Sequence, residues 1–166
     1  DVVSDALVYS YTDAQGEELR AIFEVENGME EKVREIVDQY NREQPCCRKI
    51  RRYDCADGVI SKTATAKRNR RESLQRFLLQ MIRKQIEDCI NDLVLTPVKL
   101  SEEMRLYEDL ELDSFEMVRL AGSLEDVFHI ELELQKVSAF LTVNDVCTYI
   151  LEQLYQIDGT GVVCHA

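Results

Sequence analysis

The chain has 166 residues, 45% apolar and 31% charged, and its 32 acidic against 20 basic side chains give a formal charge of -12. That length holds one or two modest domains, the apolar share excludes wholesale disorder, and the excess of acid opposes binding to nucleic-acid phosphates. Apolar runs such as Leu93 to Leu95 are short and broken by charge, which excludes a membrane span of about 20 apolar residues.

The opening Asp1-Val2-Val3-Ser4 has neither an initiator Met nor a basic-then-apolar signal pattern, and it reads as an internal cut in a longer polypeptide. Residues 6–11 and 19–25 follow as two predicted strands. In the second, Leu19, Ala21, Phe23 and Val25 alternate with Arg20, Ile22 and Glu24, and the turn-rich Asp13-Ala14-Gln15-Gly16 joins the pair as a hairpin. Met29, Val33, Ile36, Val37 and Tyr40 recur at helical spacing until Pro45 closes the segment, and Ile50 to Tyr53 returns as a further strand. Residues 1–71 are therefore predicted to form an α+β subdomain.

From Glu72 the period is helical. Leu74, Phe77, Leu78, Met81, Ile82, Ile86, Cys89, Ile90 and Leu93 form one stripe on a long helix predicted to join two domains. After a loop at Thr96-Pro97, a helix from Ser114 should turn Met117, Val118, Ala121, Leu124 and Phe128 inward. A short helix near Leu134 to Phe140 precedes a last one that buries Val143, Val146, Ile150, Leu151 and Leu154. No strand signal occurs after residue 72. Residues 72–158 thus read as an all-α four-helix bundle, and residues 159–166 as a tail.

Six cysteines lack a CxxC pair and only His129 and His165 could join them, so no metal site is predicted and the cysteines read as reduced thiols of a cytoplasmic protein. Charge is segregated along the chain. Residues 48–71 carry nine bases against Asp54 and Asp57, whereas acids dominate from residue 80 onward. With Tyr53 as its one aromatic, the basic segment lacks the stacking platform of a nucleic-acid site, and no nucleic-acid partner is expected. Its expected counterpart is the acidic group Glu108, Asp109, Glu111 and Glu116, of which Glu108, Asp109 and Glu116 are the candidate partner-binding residues.

The stretch Leu106-Tyr107-Glu108-Asp109-Leu110-Glu111-Leu112-Asp113-Ser114-Phe115-Glu116-Met117-Val118 carries the strongest signal. Taken by itself, Asp113 three residues before Glu116 is a helix cap with a capping-box partner, and a phosphodiester on Ser114 would meet the helix's positive end. Together with Leu124-Glu125, Phe128, Thr142-Val143, Asp145-Val146 and Tyr149-Ile150, the stretch resembles the acyl and peptidyl carrier proteins over residues 80–155. Their Asp-Ser-Leu signature falls on Asp113, Ser114 and Phe115. The resemblance implies a four-helix carrier with covalent 4'-phosphopantetheine on Ser114, assisted by Asp113. It also implies a phosphopantetheinyl transferase and acyl-transferring or acyl-modifying enzymes as partners. Glu111 stands where the family usually has Gly, and Arg119 where many carriers have an acid.

Residues 59–70, Val-Ile-Ser-Lys-Thr-Ala-Thr-Ala-Lys-Arg-Asn-Arg, resemble the closing motif of acyl-adenylate-forming ligases, long-chain acyl-CoA synthetases above all. Lys62, Thr63, Thr65, Lys67 and Arg70 fall on the pattern, while Ala66 replaces a common Gly. The resemblance implies that residues 1–71 are the ligase's C-terminal subdomain. Lys67 would be catalytic once the N-terminal subdomain, ATP and Mg are supplied. The expected function is then a carrier module in fatty acid metabolism, loaded by a fused acyl-AMP ligase and not catalytic as this chain alone. Two alternatives stand beside it: a non-covalent acidic interaction module, and a piece of a fatty acid-CoA ligase active only with its N-terminal subdomain.

Overall fold

A computed structural model describes residues 3–25, 28–62, 67–158 and 161–165. They fall into two compact units. The first runs to Phe77 and is rejoined by Tyr155–His165, and the second is Leu78–Leu154.

In the first unit, β1 (Val3–Asp13) and β2 (Gly16–Val25) form the expected antiparallel hairpin, with Tyr9 opposite Arg20 and Tyr11 opposite Glu18. The turn is set locally: Asp13 Oδ1 accepts the Gln15 N–H at 2.8 Å, and Gly16 takes φ 125°, open to glycine without strain. Helix α1 (Glu30–Glu43) has Glu30 and Glu31 in its first turn and Arg42 in its last, each favourable to the helix dipole. Val33 and Val37 pack with Ala21, Phe23 and Ile50. Ile36 and Tyr40, expected on the same stripe, are 44% and 42% exposed, because a helix lying on one sheet face needs only a narrow seam. Asn41 then fixes the return of the chain: its side-chain amide exchanges two 2.9 Å hydrogen bonds with the backbone of Ile50, which begins β3 (Ile50–Cys55), parallel to β2.

The sheet is larger than the sequence reading allowed. Its order is β3-β2-β1-β5-β4, completed by β4 (Tyr155–Ile157) and β5 (Gly161–Cys164), which correct the expectation of helix alone after residue 72. Residues 161–164, expected in a tail, run parallel to β1. Gly161 permits this approach, since a Cβ there would lie 2.2 Å from Ser10 Oγ and 2.3 Å from its carbonyl oxygen.

Helix α2 (Arg70–Asn91) begins in the first unit and ends in the second. Asn69 starts it, accepting the Glu72 N–H on Oδ1 and the Ser73 N–H on its carbonyl. Leu74, Phe77, Leu78, Ile82, Ile86, Cys89 and Ile90 are buried as the stripe requires, whereas Met81 is 42% exposed and Leu93 lies beyond the helix end.

The second unit continues with α3 (Ser114–Phe128), the single-turn α4 (Leu134–Val137) and α5 (Val143–Leu154). On α3 the buried seam is Met117, Leu120, Ala121, Leu124 and Phe128. Val118, expected inward, is 53% exposed, since it lies about 100° round the helix from Met117. The loop before α3 adds buried Leu100, Leu106, Leu110 and Leu112 to the core. Backbone hydrogen bonds from Leu106 N to Leu141 O, Val143 N to Met104 O and Asn144 N to Glu102 O tie that loop to the start of α5. Among the described residues no helix is long and apolar enough to cross a membrane.

Candidate functional site

Ser114 is the first residue of α3, and its position follows from its neighbours. Asp113 is the N-cap with extended backbone, and its Oδ1 accepts the N–H groups of Phe115 and Glu116, each at 2.8 Å. Glu116 Oε2 in turn accepts the Asp113 N–H at 2.8 Å, completing the capping box. Leu112 and Met117 are buried on either side, so the backbone between them is pinned and Ser114 faces outward. Its hydroxyl takes no part in the cap. Both cap hydrogen bonds use Oδ1 of Asp113, and the residue is exposed. An exposed hydroxyl on the first residue of a capped helix lies at the positive end of the helix dipole, which favours an anion such as a phosphodiester.

The surroundings mix apolar and acidic surface. Phe115 is 70% exposed, Val118 53% and Leu141 65%. Arg119 is exposed on α3. The three acids expected to bind partners are all engaged locally. Glu116 closes the cap, Asp109 accepts the Arg105 N–H at 2.8 Å, and Glu108 pairs with the Arg105 guanidinium at 3.0 Å. Glu108 and Asp109 remain exposed while doing so.

Glu111 adopts the left-handed conformation, with φ 53°. A side chain there costs about 1 kcal/mol that glycine avoids, which gives the departure from the family pattern a physical meaning. Glu111→Gly is expected to stabilise the second unit by up to about 1 kcal/mol, less the entropy that glycine adds to the unfolded chain. Urea unfolding followed by circular dichroism checks this, and a lowered midpoint would contradict it.

Lys67 lies in the first unit. It is exposed, in an open depression lined also by Ser4, Asp5, Lys62, Arg68 and Arg70. Thr63, Thr65 and Ala66 of the same motif lie outside the described residues. Lys62 and Arg68 face each other in an antiparallel bridge, and both reach the buried Asp5: Lys62 Nζ at 2.8 Å, and Arg68 through Nε and a terminal nitrogen at 2.5 Å. Arg70 donates to the Val8 carbonyl. This clamp, joining the start of β1 to the end of the basic segment, carries no signal in the sequence, where its members lie about sixty residues apart.

Burial by itself would raise the Asp5 carboxyl, but hydrogen bonds from Lys62 and Arg68 outweigh it and hold the pKa at about 2, below the ordinary 3.8. A lowered folded-state pKa gives stability that is fully present above pH 3.8 and is lost as pH falls towards 2. The full shift corresponds to roughly 2 kcal/mol, and screening at the half-exposed cations brings the expected loss to about 1 kcal/mol. Asp5→Asn is expected to lose that amount at neutral pH and to flatten the acid limb of a thermal-stability profile. An unchanged limb would show that the clamp contributes nothing.

Residues 84–150 match the family model described as a phosphopantetheine attachment site. The acyl carrier protein of Wolinella succinogenes is 36% identical over 64 residues, which are 39% of this chain and 84% of that protein. Among solved structures, an acyl carrier protein from Mycobacterium tuberculosis is 25% identical with a TM-score of 0.38, covering 45% of this chain and 96% of that one. An A-PCP structure complexed with phenylalanyl-adenylate covers 90% of this chain and 28% of its own, at 15% identity and a TM-score of 0.38.

Proposed function

The chain belongs to the acyl carrier protein family, with 4'-phosphopantetheine as its covalent cofactor, and we propose that Ser114 is the residue that takes the arm. The observation that carries this is the outward hydroxyl of Ser114 at a helix start held by the Asp113–Glu116 box. When bound, the arm supplies a thiol that holds an acyl group as a thioester. Within the chain, Ser114 would be the acceptor: its oxygen would bond the pantetheine-bearing phosphorus of CoA, the P–O–P bond would break, adenosine 3',5'-bisphosphate would leave, and the serine proton would pass to a base of the transferase. Asp113 keeps the backbone in position, and its carboxylate would assist the magnesium-dependent transfer. The buried Leu112 and Met117 keep Ser114 from turning inward. Intact mass before and after transferase treatment tests the assignment, and an unmodified protein would favour the non-covalent acidic module.

The first unit is read as the C-terminal subdomain of an acyl-adenylate-forming ligase that loads this carrier. The motif from Lys62 to Arg70 and the order hairpin, helix, strand support that reading. Lys67 is its catalytic cation, reaching the acyl carboxylate and α-phosphate while the adenylate forms. Partners on this reading are the phosphopantetheinyl transferase, the ligase's N-terminal subdomain, which would bring ATP and Mg, and the enzymes that remove or modify the acyl group.

A further inference from the structure

Both ends of the second unit lead into the first. The chain leaves the first unit inside α2, between Phe77 and Leu78, and returns to it between Leu154 and Tyr155. The departure is a continuous helix. At the return, α5 ends on Leu154 and β4 begins on Tyr155, so neither junction contains a linker residue. A domain on one flexible linker samples a wide volume, whereas one held at two stiff junctions moves only as far as both can bend.

The second junction is as firm as the attachment of β4 and β5. Tyr155–Ile157 pairs antiparallel with Val162–Cys164. Beside them, the Asp158 N–H donates to Gly161 O at 3.1 Å, and Asp158 Oδ1 accepts the Gly161 N–H at 2.7 Å. This pair joins the sheet through β5 alone, with Gly161–Val163 beside Ser10–Thr12. The β1–β2 ladder, in contrast, runs from Val3 to Asp13. Val162 is buried and Gly161 lies too close to Ser10 for any side chain, so the attachment is specific. It is also short and joins segments distant in the chain, against loop-closure entropy, which puts it among the first parts of the sheet to open.

We propose that β4 and β5 form a releasable clasp on the carrier unit. Paired with β1, they restrain the unit at its second end; detached, they leave it held by α2 alone. The functional meaning rests on the carrier reading of Ser114, since an arm on a restrained unit reaches fewer enzymes. The restraint itself is a property of the unmodified chain, so its failure and a failure of Ser114 to take the arm are seen in different measurements.

The test uses the full unmodified chain, with hydrogen exchange to follow the clasp and residual dipolar couplings to follow the two units. In the parent, one alignment tensor should fit both units, and the amides of residues 161–164 should exchange at least about tenfold faster than those of β2, as expected for a locally opening strand. Gly161→Val, whose side chain would overlap Ser10, should abolish the remaining protection at 161–164 and lower the order of the second unit by at least about a fifth relative to the first. That variant also strains β1, so a Gly/Ser insert of about ten residues between Leu154 and Tyr155 is the second probe. The insert should lower the order of the second unit as much, while residues 161–164 stay as protected as in the parent. Equal protection of β5 and β2 in the parent would show that the strand opens only with the whole sheet. Two tensors in the parent would show that nothing restrains the unit, and an insert that leaves a single tensor would show that α2 alone holds it. Any of these three results overturns the proposal.

Discussion

Incubation with CoA, magnesium and a broad-specificity phosphopantetheinyl transferase is expected to add a single phosphopantetheine to the chain, and none to Ser114→Ala. The variant is a clean one. The cap at this helix start is made by the Asp113 carboxylate, the Glu116 carboxylate and backbone N–H groups, so removing the Ser114 hydroxyl leaves α3 intact. Asp113→Ala is a different case: it removes two accepted hydrogen bonds and should cost about 1 kcal/mol of helix stability as well as slowing modification. A thermal melt therefore separates the two, with Ser114→Ala unchanged and unmodified. If the parent mass stays constant with several transferases, the covalent assignment fails and the acidic surface has to be explained by docking alone.

What the sequence made legible at this site is what is encoded locally. Asp113 and Glu116 are three residues apart, and a capping box needs nothing from elsewhere in the chain. The hairpin was legible for the same reason, through the alternation from Leu19 to Val25 and the Asp13–Gly16 turn. What escaped is encoded by distant pairs. The strand Gly161–Cys164 is too short to show a period, and its place beside β1 depends on a missing Cβ at Gly161 over Ser10. Asp5 lies just before the predicted strand 6–11, where nothing marks it as the partner of Lys62 and Arg68. Glu111 could be seen to replace a family glycine, but only its φ of 53° says what that glycine would relieve. Periodicity also overstated the cores, because Ile36, Met81 and Val118 lie on the flanks of their stripes and only the packing separates flank from seam.

Once an N-terminal adenylate-forming subdomain is supplied, Lys67→Ala is expected to slow adenylate formation by about 10² or more, the order lost with one preorganised charge stabiliser. The exposure of Lys67 makes the effect readable, since truncation there leaves no hole and strands no buried charge. Lys62→Ala and Arg68→Ala provide the contrast: each withdraws a cation from the buried Asp5 carboxylate and should lower stability, so any loss of rate would be mixed with a loss of fold. Lys67→Arg keeps the charge but replaces a compact ammonium with a planar fork, and should recover only part of the rate if position matters as well as charge. Pyrophosphate exchange measures the adenylation step directly. A parent rate in Lys67→Ala would remove this lysine from the chemistry and leave the basic segment as scaffold for the sheet, held there by the pairing of Lys62 and Arg68 with Asp5.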